Sequence, residues 1–492
     1  MKRTFLTNLS LLLFLNLLVK PFWVLGIDRS VQNIVGSADY GFYFALFNFS
    51  FLLNIFLDAG ITGQNNREIA QNPNLLKDRF QKIIPIRIVL GVIYAIATIT
   101  VGVALNYTSE QFHLLYVLIV NQFLLSFILY FRSNISGLHQ FKKDSVLSVL
   151  DRILMIAFCS YLLWGRASQE PMQIEWFVYA QTIAYAITAV IAFGLVSSQS
   201  GKLNLHWSST FSISLLKKSL PFAVLVLLMG FYNRLDSVMI ERILGNGKLH
   251  AGIYAQGYRI LDAVNMFAYL FASLLYPMFS RTLKTNSKKS LDGIEDLIKI
   301  SYGLLIVPAI ACVCIAYFYQ NQIMSLLYTE YISLSAPIFG ILMACMLGIS
   351  TTYVYGTLLT ANGNLKELNL MAFGGILLNI SLNIILIPKF NGLGAAYASL
   401  ATQLLTAVIQ VALVQYIFRF KVNYVFMFKL ALFGLLIVGF GAIISRHFTE
   451  WSVGVLLILI FSFASAIILR LVEFSSLMSI IKKRTAFQSE KN

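Results

Sequence analysis

Charge is what this chain has least of. Lys, Arg, Asp and Glu together make up 12% of it, about half of the roughly 25% found in soluble domains. That shortage excludes an ordinary water-soluble protein. Cysteine is nearly absent as well: Cys159, Cys312, Cys314 and Cys345 all fall inside apolar runs, so they form neither a disulfide framework nor a metal-ligand spacing. The five histidines are scattered singly, which leaves no ligand cluster, and no metal or other cofactor is expected. There is no phosphate-binding GxxxxGK[ST] loop and no cluster of carboxylates in a water-facing segment. With only short connections between apolar runs, there is no room for a nucleotide-driven motor domain. The long outward loop of a sugar polymerase or ligase is missing too. The chain is expected not to be an enzyme.

What is present is hydrocarbon-compatible sequence, 58% of residues being hydrophobic. In lipid every backbone polar group must be satisfied internally, which leaves helices or a closed barrel. Barrel strands would read as short alternating segments, whereas the apolar runs here have the roughly 17–25 residues of a membrane-spanning helix. The expectation is an all-α polytopic membrane protein with about fourteen spans. Their places are 9–26, 41–61, 84–105, 112–132, 147–164, 175–197, 220–240, 252–280, 299–319, 334–360, 369–388, 394–418, 428–445 and 452–472. The first run follows MKRTF but has no small-x-small cleavage site, and reads as a retained helix rather than a secretory signal.

Lys and Arg set the orientation. The even-numbered junctions carry QNNREIAQNPNLLKDRFQK, FRSNISGLHQFKK, SGKLN with LLKK, SRTLKTNSKK, GNLKE and FRFKVN. The others hold only Arg29, Arg166, Arg242, Lys248, Lys389 and Arg446. Both termini are therefore expected in the cytoplasm, including the basic tail IIKKRTAFQSEKN. The net charge of +16 is mostly this topology signal, with attraction to anionic membrane lipids second, and nucleic acid is not needed as a partner.

A faint repeat runs through the chain. IVGSADYGFYFAL before the second helix matches ILGNGKLHAGIYAQG before the eighth, each placing a Gly-x-Tyr at the helix start: Gly41-Phe42-Tyr43 and Gly252-Ile253-Tyr254. SGLHQFKKDSVLSVL after the fourth helix likewise matches TANGNLKELNLMAFG after the tenth. The expected organisation is two six-helix bundles, 1–198 and 220–418, joined by a cytoplasmic linker at 199–219, with two extra helices and the basic tail in 419–492. Parallel repeats of this kind are a ground plan of alternating-access transporters.

Together, VGSADYGFY with FLDAGITGQNNREIA, NRLDSVMIERILG with AGIYAQGYRI, LLTANGNLKELN, and LNIILIPKFNGLGAAYASLATQ resemble the polysaccharide (O-antigen type) flippases of the multidrug/oligosaccharidyl-lipid/polysaccharide exporter superfamily. The resemblance implies movement of an undecaprenyl-diphosphate-linked oligosaccharide from the cytoplasmic to the outer leaflet of a bacterial inner membrane, for surface polysaccharide or lipopolysaccharide synthesis. Other polysaccharide-assembly proteins are its implied partners. The alternatives are a drug or cation exporter of the same superfamily, or an integral-membrane sugar polymerase or ligase.

The charges inside the predicted spans are the candidate site. An ionised group at a helix centre costs about 2.5–3.5 kcal/mol on insertion scales and needs a partner, water or a route to the interface. Lys20, Arg234 and Arg259 are expected to line a cationic cavity, where guanidinium groups can hold phosphate oxygens bidentately. Lys20 precedes Pro21, whose missing N–H can bend the first helix. Arg234 and Asp236 stand two apart in FYNRLDSVMI and so point to different sides of their helix. Arg259 and Asp262, three apart, can pair on one face. Arg87 and Arg152, near cytoplasmic ends, are expected to snorkel and attract the diphosphate at the entrance. Asp58, Asp151, Asp236 and Asp262 are read as coupling or structural carboxylates, with Asp58 also suited to a turn or cap. The tyrosines near the outer face, Tyr40, Tyr43 and Tyr254, are candidates for stacking on sugar, beside the plainer reading of bulk facing lipid.

Overall fold

The computed structural model describes residues 14–165, 172–201, 204–283, 288–420 and 423–472. The opening turns of the first expected helix, Arg166 and the basic tail lie outside them. Every regular element among the described residues is helical. The first helix, α1, occupies 14–35. It is followed by α2 (Ser37–Leu52), α3 (Ile61–Gln71), α4 (Leu76–Ala104), α5 (Ser109–Gly137), α6 (Phe141–Ser160), α7 (Ile174–Ser200) and α8 (Ser209–Ile243). Then come α9 (Gly247–Leu283), α10 (Lys288–Leu327), α11 (Ile332–Asn362), α12 (Leu365–Phe390), α13 (Gly392–Phe418), α14 (Tyr424–His447) and α15 (Trp451–Ile468).

By length and apolar content, 11 of the described helices can cross a membrane, or up to 12 when the bent pair Ser37–Leu52 and Ile55–Gln71 counts as one span. The expected fourteen is not reached by that measure. Helices α1 and α9 stand where the first and eighth spans were expected, but neither is in that set. The 42° bend after α2 falls at Leu53–Asn54, and a second break follows where Ala59 and Gly60 both adopt left-handed backbone before α3.

Local signals account for several other ends. Gly36, at φ 86°, ends α1 and opens α2 in a conformation that costs a glycine little. Thr108 and Gln111 form a reciprocal capping box at the start of α5. In α1 the residues after Pro21 widen into a π-helical stretch, Trp23–Asp28. The bend expected from Pro21 is thus a change of helical pitch, of a kind frequent at functional sites.

The chain forms two compact units. One runs through Ala263 and takes in Tyr328–Glu330 and Ala372–Ala395. The other holds Val264–Leu327, Tyr331–Met371 and the described residues from Ala396 onward. The expected bundles 1–198 and 220–418 are a division by sequence order, whereas these units cut through α9, α12 and α13.

The first unit has a core under its basic end, where Ile61, Ile69, Phe80, Ile83, Tyr130 and Ile135 are fully buried. It also contains the closest backbone approach of the repeat. A Cβ on Gly41 would lie 2.0 Å from the Lys248 carbonyl oxygen, and one on Gly252 would lie 1.8 Å from that of Ser37. Each glycine meets the carbonyl four residues before the other, so α2 and α9 cross with an approximate two-fold relation. The two Gly-x-Tyr segments matched in sequence are in direct contact.

In the second unit α14 and α15 pack on α10 around Phe433, Ile437, Ile458 and Cys314. Gly441 admits Cys314 and Phe318, and Gly454 admits the Tyr319 hydroxyl, at distances no side chain would allow.

Candidate functional site

All nine charges singled out in the sequence fall within the first unit. At the end of the π-helical stretch of α1, the Asp28 carboxylate is 2% exposed. It lies 3.0 Å from Nε of Arg259 on α9 and accepts a 2.8 Å hydrogen bond from the Tyr40 hydroxyl of α2. Arg259 Nε also donates to that hydroxyl at 2.9 Å. The expected partner Asp262 is farther from the guanidinium, at 3.9 Å. The main counter-charge of Arg259 is therefore Asp28, and the Arg259–Asp262 pair is secondary. The guanidinium faces the Phe44 and Phe47 rings at 5.0 and 5.8 Å, where ring quadrupoles favour a cation.

Lys20 lies two turns earlier on α1. Among the described residues it makes no ion pair, and its nearest charges are Arg152, Arg132 and Asp151. Arg152 contacts the neighbouring Asp151 at 3.6 Å and faces the rings of Trp23 and Tyr185. It is also within electrostatic reach of Asp28 and Arg259. Lys20, Arg152 and Arg259 thus share one neighbourhood. Arg152, expected apart from the other two at an entrance, belongs with them.

Arg234 is partly accessible on α8. It donates to Asn48 Oδ1 of α2 at 2.9 Å and stands 4.6 Å over the Phe51 ring. Asn48 in turn donates to Ser237. No carboxylate comes within ion-pair distance of Arg234 among the described residues. Tyr258, whose hydroxyl donates to the Asn233 carbonyl, lies within electrostatic reach of Asp262, Arg234, Asp236 and Arg259.

Asp236 points elsewhere, as its spacing from Arg234 requires. It is 1% exposed. Its carboxylate accepts from the Tyr254 hydroxyl at 2.8 Å and from the amides of Asn379 and Asn383 at 3.1 and 2.8 Å. The Asn residues are one turn apart on α12 and fully buried.

Arg87 does not snorkel. It is 1% exposed, salt-bridged to Asp58 at 2.8 Å and bonded to the Ser126 carbonyl at 2.8 Å. The Tyr130 ring lies 4.9 Å from its guanidinium. Only the arginine is enclosed: the Asp58 side chain, at the break before α3, is 30% exposed. Asp58 also accepts from the backbone N–H and hydroxyl of Thr62, so it caps α3 and neutralises Arg87 at once. An enclosed guanidinium held at both terminal nitrogens cannot reach an interface, and Arg87 stands apart from the Lys20–Arg152–Arg259 group. The tyrosines proposed for stacking are enclosed too: Tyr40, Tyr43 and Tyr254 are 0%, 2% and 1% exposed, with hydroxyls bonded to Asp28, Gln181 and Asp236. None of the three offers a face to a ligand.

The family model described as "Polysaccharide biosynthesis protein" matches residues 7–283, a stretch that holds every one of these charges. The chain belongs to that family. A curated relative, the "Probable low-salt glycan biosynthesis flippase Agl15" of Haloferax volcanii, is 24% identical over 172 residues, 34% of this chain and 35% of the relative. The match thus spans about a third of that relative's length. Among solved structures, the lipid II flippase MurJ in an inward closed conformation superposes with a TM-score of 0.69 at 15% identity, covering 96% of this chain and 99% of MurJ. An inward-facing multidrug resistance transporter of the MATE family, in the MOP superfamily, gives 0.58 at 15% identity over 84% and 98%. At such identities the likeness establishes the fold, a multi-pass helical membrane architecture shared with MurJ and MATE proteins.

Sequence reasoning missed Asp28, Asn48, Asn379 and Asn383. Asp28 falls two residues beyond the expected end of the first span at 26 and so outside the charges weighed within spans. The stop signal ten residues later, Gly36, was available. The Asn379/Asn383 pair was legible as two amides one turn apart in the apolar run LLNISLNIIL.

Proposed function

We propose that this protein is a flippase that moves a lipid-linked oligosaccharide, with undecaprenyl diphosphate as the carrier, from the cytoplasmic to the outer leaflet by alternating access. The observation that supports this most is Arg234, a partly accessible guanidinium in a span with an amide and a ring for neighbours and, among the described residues, no carboxylate. Holding such a cation in a membrane is costly unless water and an anionic ligand reach it. A diphosphate is the part of the cargo least compatible with hydrocarbon, and Arg binds phosphate oxygens in a forked geometry that Lys lacks. Arg234, Arg259, Lys20 and Arg152 supply the positive surface. Among the described residues Lys20 and Arg234 form no ion pair with a carboxylate, while Asp28 and Asp151 neutralise Arg259 and Arg152 in part. The family membership and the MurJ-like fold favour this cargo over a cationic drug, which carboxylates rather than arginines would recognise. Asp262 holds Arg259, and Asp236 serves the packing or the coupling of the cycle. The protein works without a cofactor, in a bacterial inner membrane with both termini cytoplasmic, among lipids and other polysaccharide-assembly proteins.

The test is transbilayer movement of a fluorescent prenyl-diphosphate oligosaccharide in vesicles, with wild type beside Arg234→Ala. Movement by wild type and a loss of about tenfold or more in the variant, the scale of a charge-assisted contact, supports the reading. Equal movement by both removes Arg234 from the site. No movement by the folded wild type, with several sugars and ion gradients, sinks the flippase reading in favour of a drug exporter.

A further inference from the structure

Helix α2 is enclosed almost throughout. From Tyr40 to Leu52 every residue is buried except Phe47 and Phe51. These two rings lie one turn apart with centroids 6.4 Å from each other, so they form a single accessible ridge. Each end of that ridge carries a cation. The Arg259 guanidinium lies 5.8 Å from the Phe47 ring, and that of Arg234 lies 4.6 Å from the Phe51 ring.

A ridge facing lipid would not hold two arginines, one of them without a counter-charge among the described residues, because an isolated cation in hydrocarbon is strongly disfavoured. A purely structural ridge would be packed over, as the rest of α2 is. Rings left open between two phosphate-binding groups suit a ligand that is anionic at one point and carries an apolar face beside it. Ligand sites commonly pair a few placed polar groups with aromatic walls. A pyranose next to a diphosphate has that character: its ring C–H groups form a face that lies flat on an aromatic ring, while its hydroxyls turn outward.

We propose that Phe47 and Phe51 are the platform for the first sugar of the lipid-linked glycan, the residue attached directly to the diphosphate held by Arg234 and Arg259. The assignment rests on the flippase reading and adds to it the means by which a glycosylated carrier is told from a bare one. A spent carrier has the diphosphate and the prenyl chain but no ring to place on Phe51. The ridge therefore favours the loaded form without reading the rest of the oligosaccharide.

The experiment measures Kd of the full chain in nanodiscs for two probes, undecaprenyl diphosphate and the same carrier bearing one monosaccharide. Wild type is expected to prefer the glycosylated probe by about fivefold, the scale of one aromatic contact. Phe51→Leu, close in volume, is expected to erase that preference while bare-carrier affinity stays within about twofold. Phe51→Trp is expected to keep it. Equal weakening for both probes in Phe51→Leu would mean that the ring only positions Arg234, and would overturn the proposal. So would an unchanged preference in the Phe47→Leu/Phe51→Leu double variant. Binding of both probes by wild type with no preference overturns the platform and leaves the flippase reading standing. Failure of folded wild type to bind either probe removes both.

Discussion

The Arg259 guanidinium lies 3.0 Å from the Asp28 carboxylate and 3.9 Å from that of Asp262. A residue in the second half of α1 thus neutralises an arginine on α9, in preference to the carboxylate one turn away on the same helix. The difference in burial sharpens the preference: the Asp28 side chain is 2% exposed and that of Asp262 22%. Removing one member of an enclosed pair strands the other, at about 3–5 kcal/mol. A half-open pair at near-limiting distance contributes about 1 kcal/mol or less. Asp28→Ala is therefore expected to lower the thermal unfolding midpoint in detergent far more than Asp262→Ala. Equal shifts would show that Asp262 is the working partner.

The crossing of α2 and α9 makes a separate prediction. A methyl on Gly252 would be placed 1.8 Å from the Ser37 carbonyl oxygen and one on Gly41 2.0 Å from that of Lys248, both backbone atoms that cannot turn aside. Gly41→Ala and Gly252→Ala should each force the helices apart and destabilise by about 1–3 kcal/mol or more. The double variant should cost less than the sum, since one displacement relieves both clashes. Gly434→Ala, where a Cβ meets nothing within 4 Å, should be neutral or slightly stabilising. Unfolding midpoints of the four variants decide it.

Arg87 tests the distinction between a buried structural charge and a ligand-binding one. Its guanidinium reaches Asp58 and the Ser126 carbonyl from two different nitrogens. Arg87→Lys keeps the charge but loses the fork, and is expected to reduce stability by about 2 kcal/mol or more. Arg87→Ala should fold poorly, by leaving Asp58 without its partner. In whatever fraction folds, affinity for a prenyl diphosphate should match wild type. A selective loss of that affinity with stability intact would return Arg87 to the entrance role.

The helical class, the positions of most spans and the Gly-x-Tyr repeat were legible because they depend on local periodicity and run length. The partners of the buried charges were not. Asp28 finds Arg259, Asn48 finds Arg234 and Asp58 finds Arg87 across sequence separations that no helical spacing encodes. Snorkelling was a fair expectation for Arg87 from its distance to a span end. It failed because Asp58, beside the break at Ala59–Gly60, meets the guanidinium where it lies. Arg234 and Asp236, by contrast, diverge as a two-residue helical step requires, one toward Asn48 and the other toward α12.

That divergence gives Asp236 two separable roles. Three donors converge on its carboxylate: the Tyr254 hydroxyl and the Asn379 and Asn383 amides. Asp236→Asn keeps the shape and can keep Oδ1 on the two amides, with its new NH2 turned to the Tyr254 hydroxyl, but it removes the charge that strengthens all three bonds. Hydrogen bonds to a charged group are worth about 1.5–3 kcal/mol each. If the carboxylate only ties α8 to α9 and α12, Asp236→Asn should lower unfolding midpoint and transport together, and Asn383→Ala should do the same to a smaller degree. If it couples the cycle instead, the variant should remain folded near the wild-type midpoint while movement of the lipid-linked probe stops responding to an imposed ion gradient. The described donors favour the first outcome, because Tyr254 and the two asparagines join α8 to α9 and α12 through this one carboxylate. Unfolding midpoints and gradient-dependent transport, measured on the same preparations, separate the two.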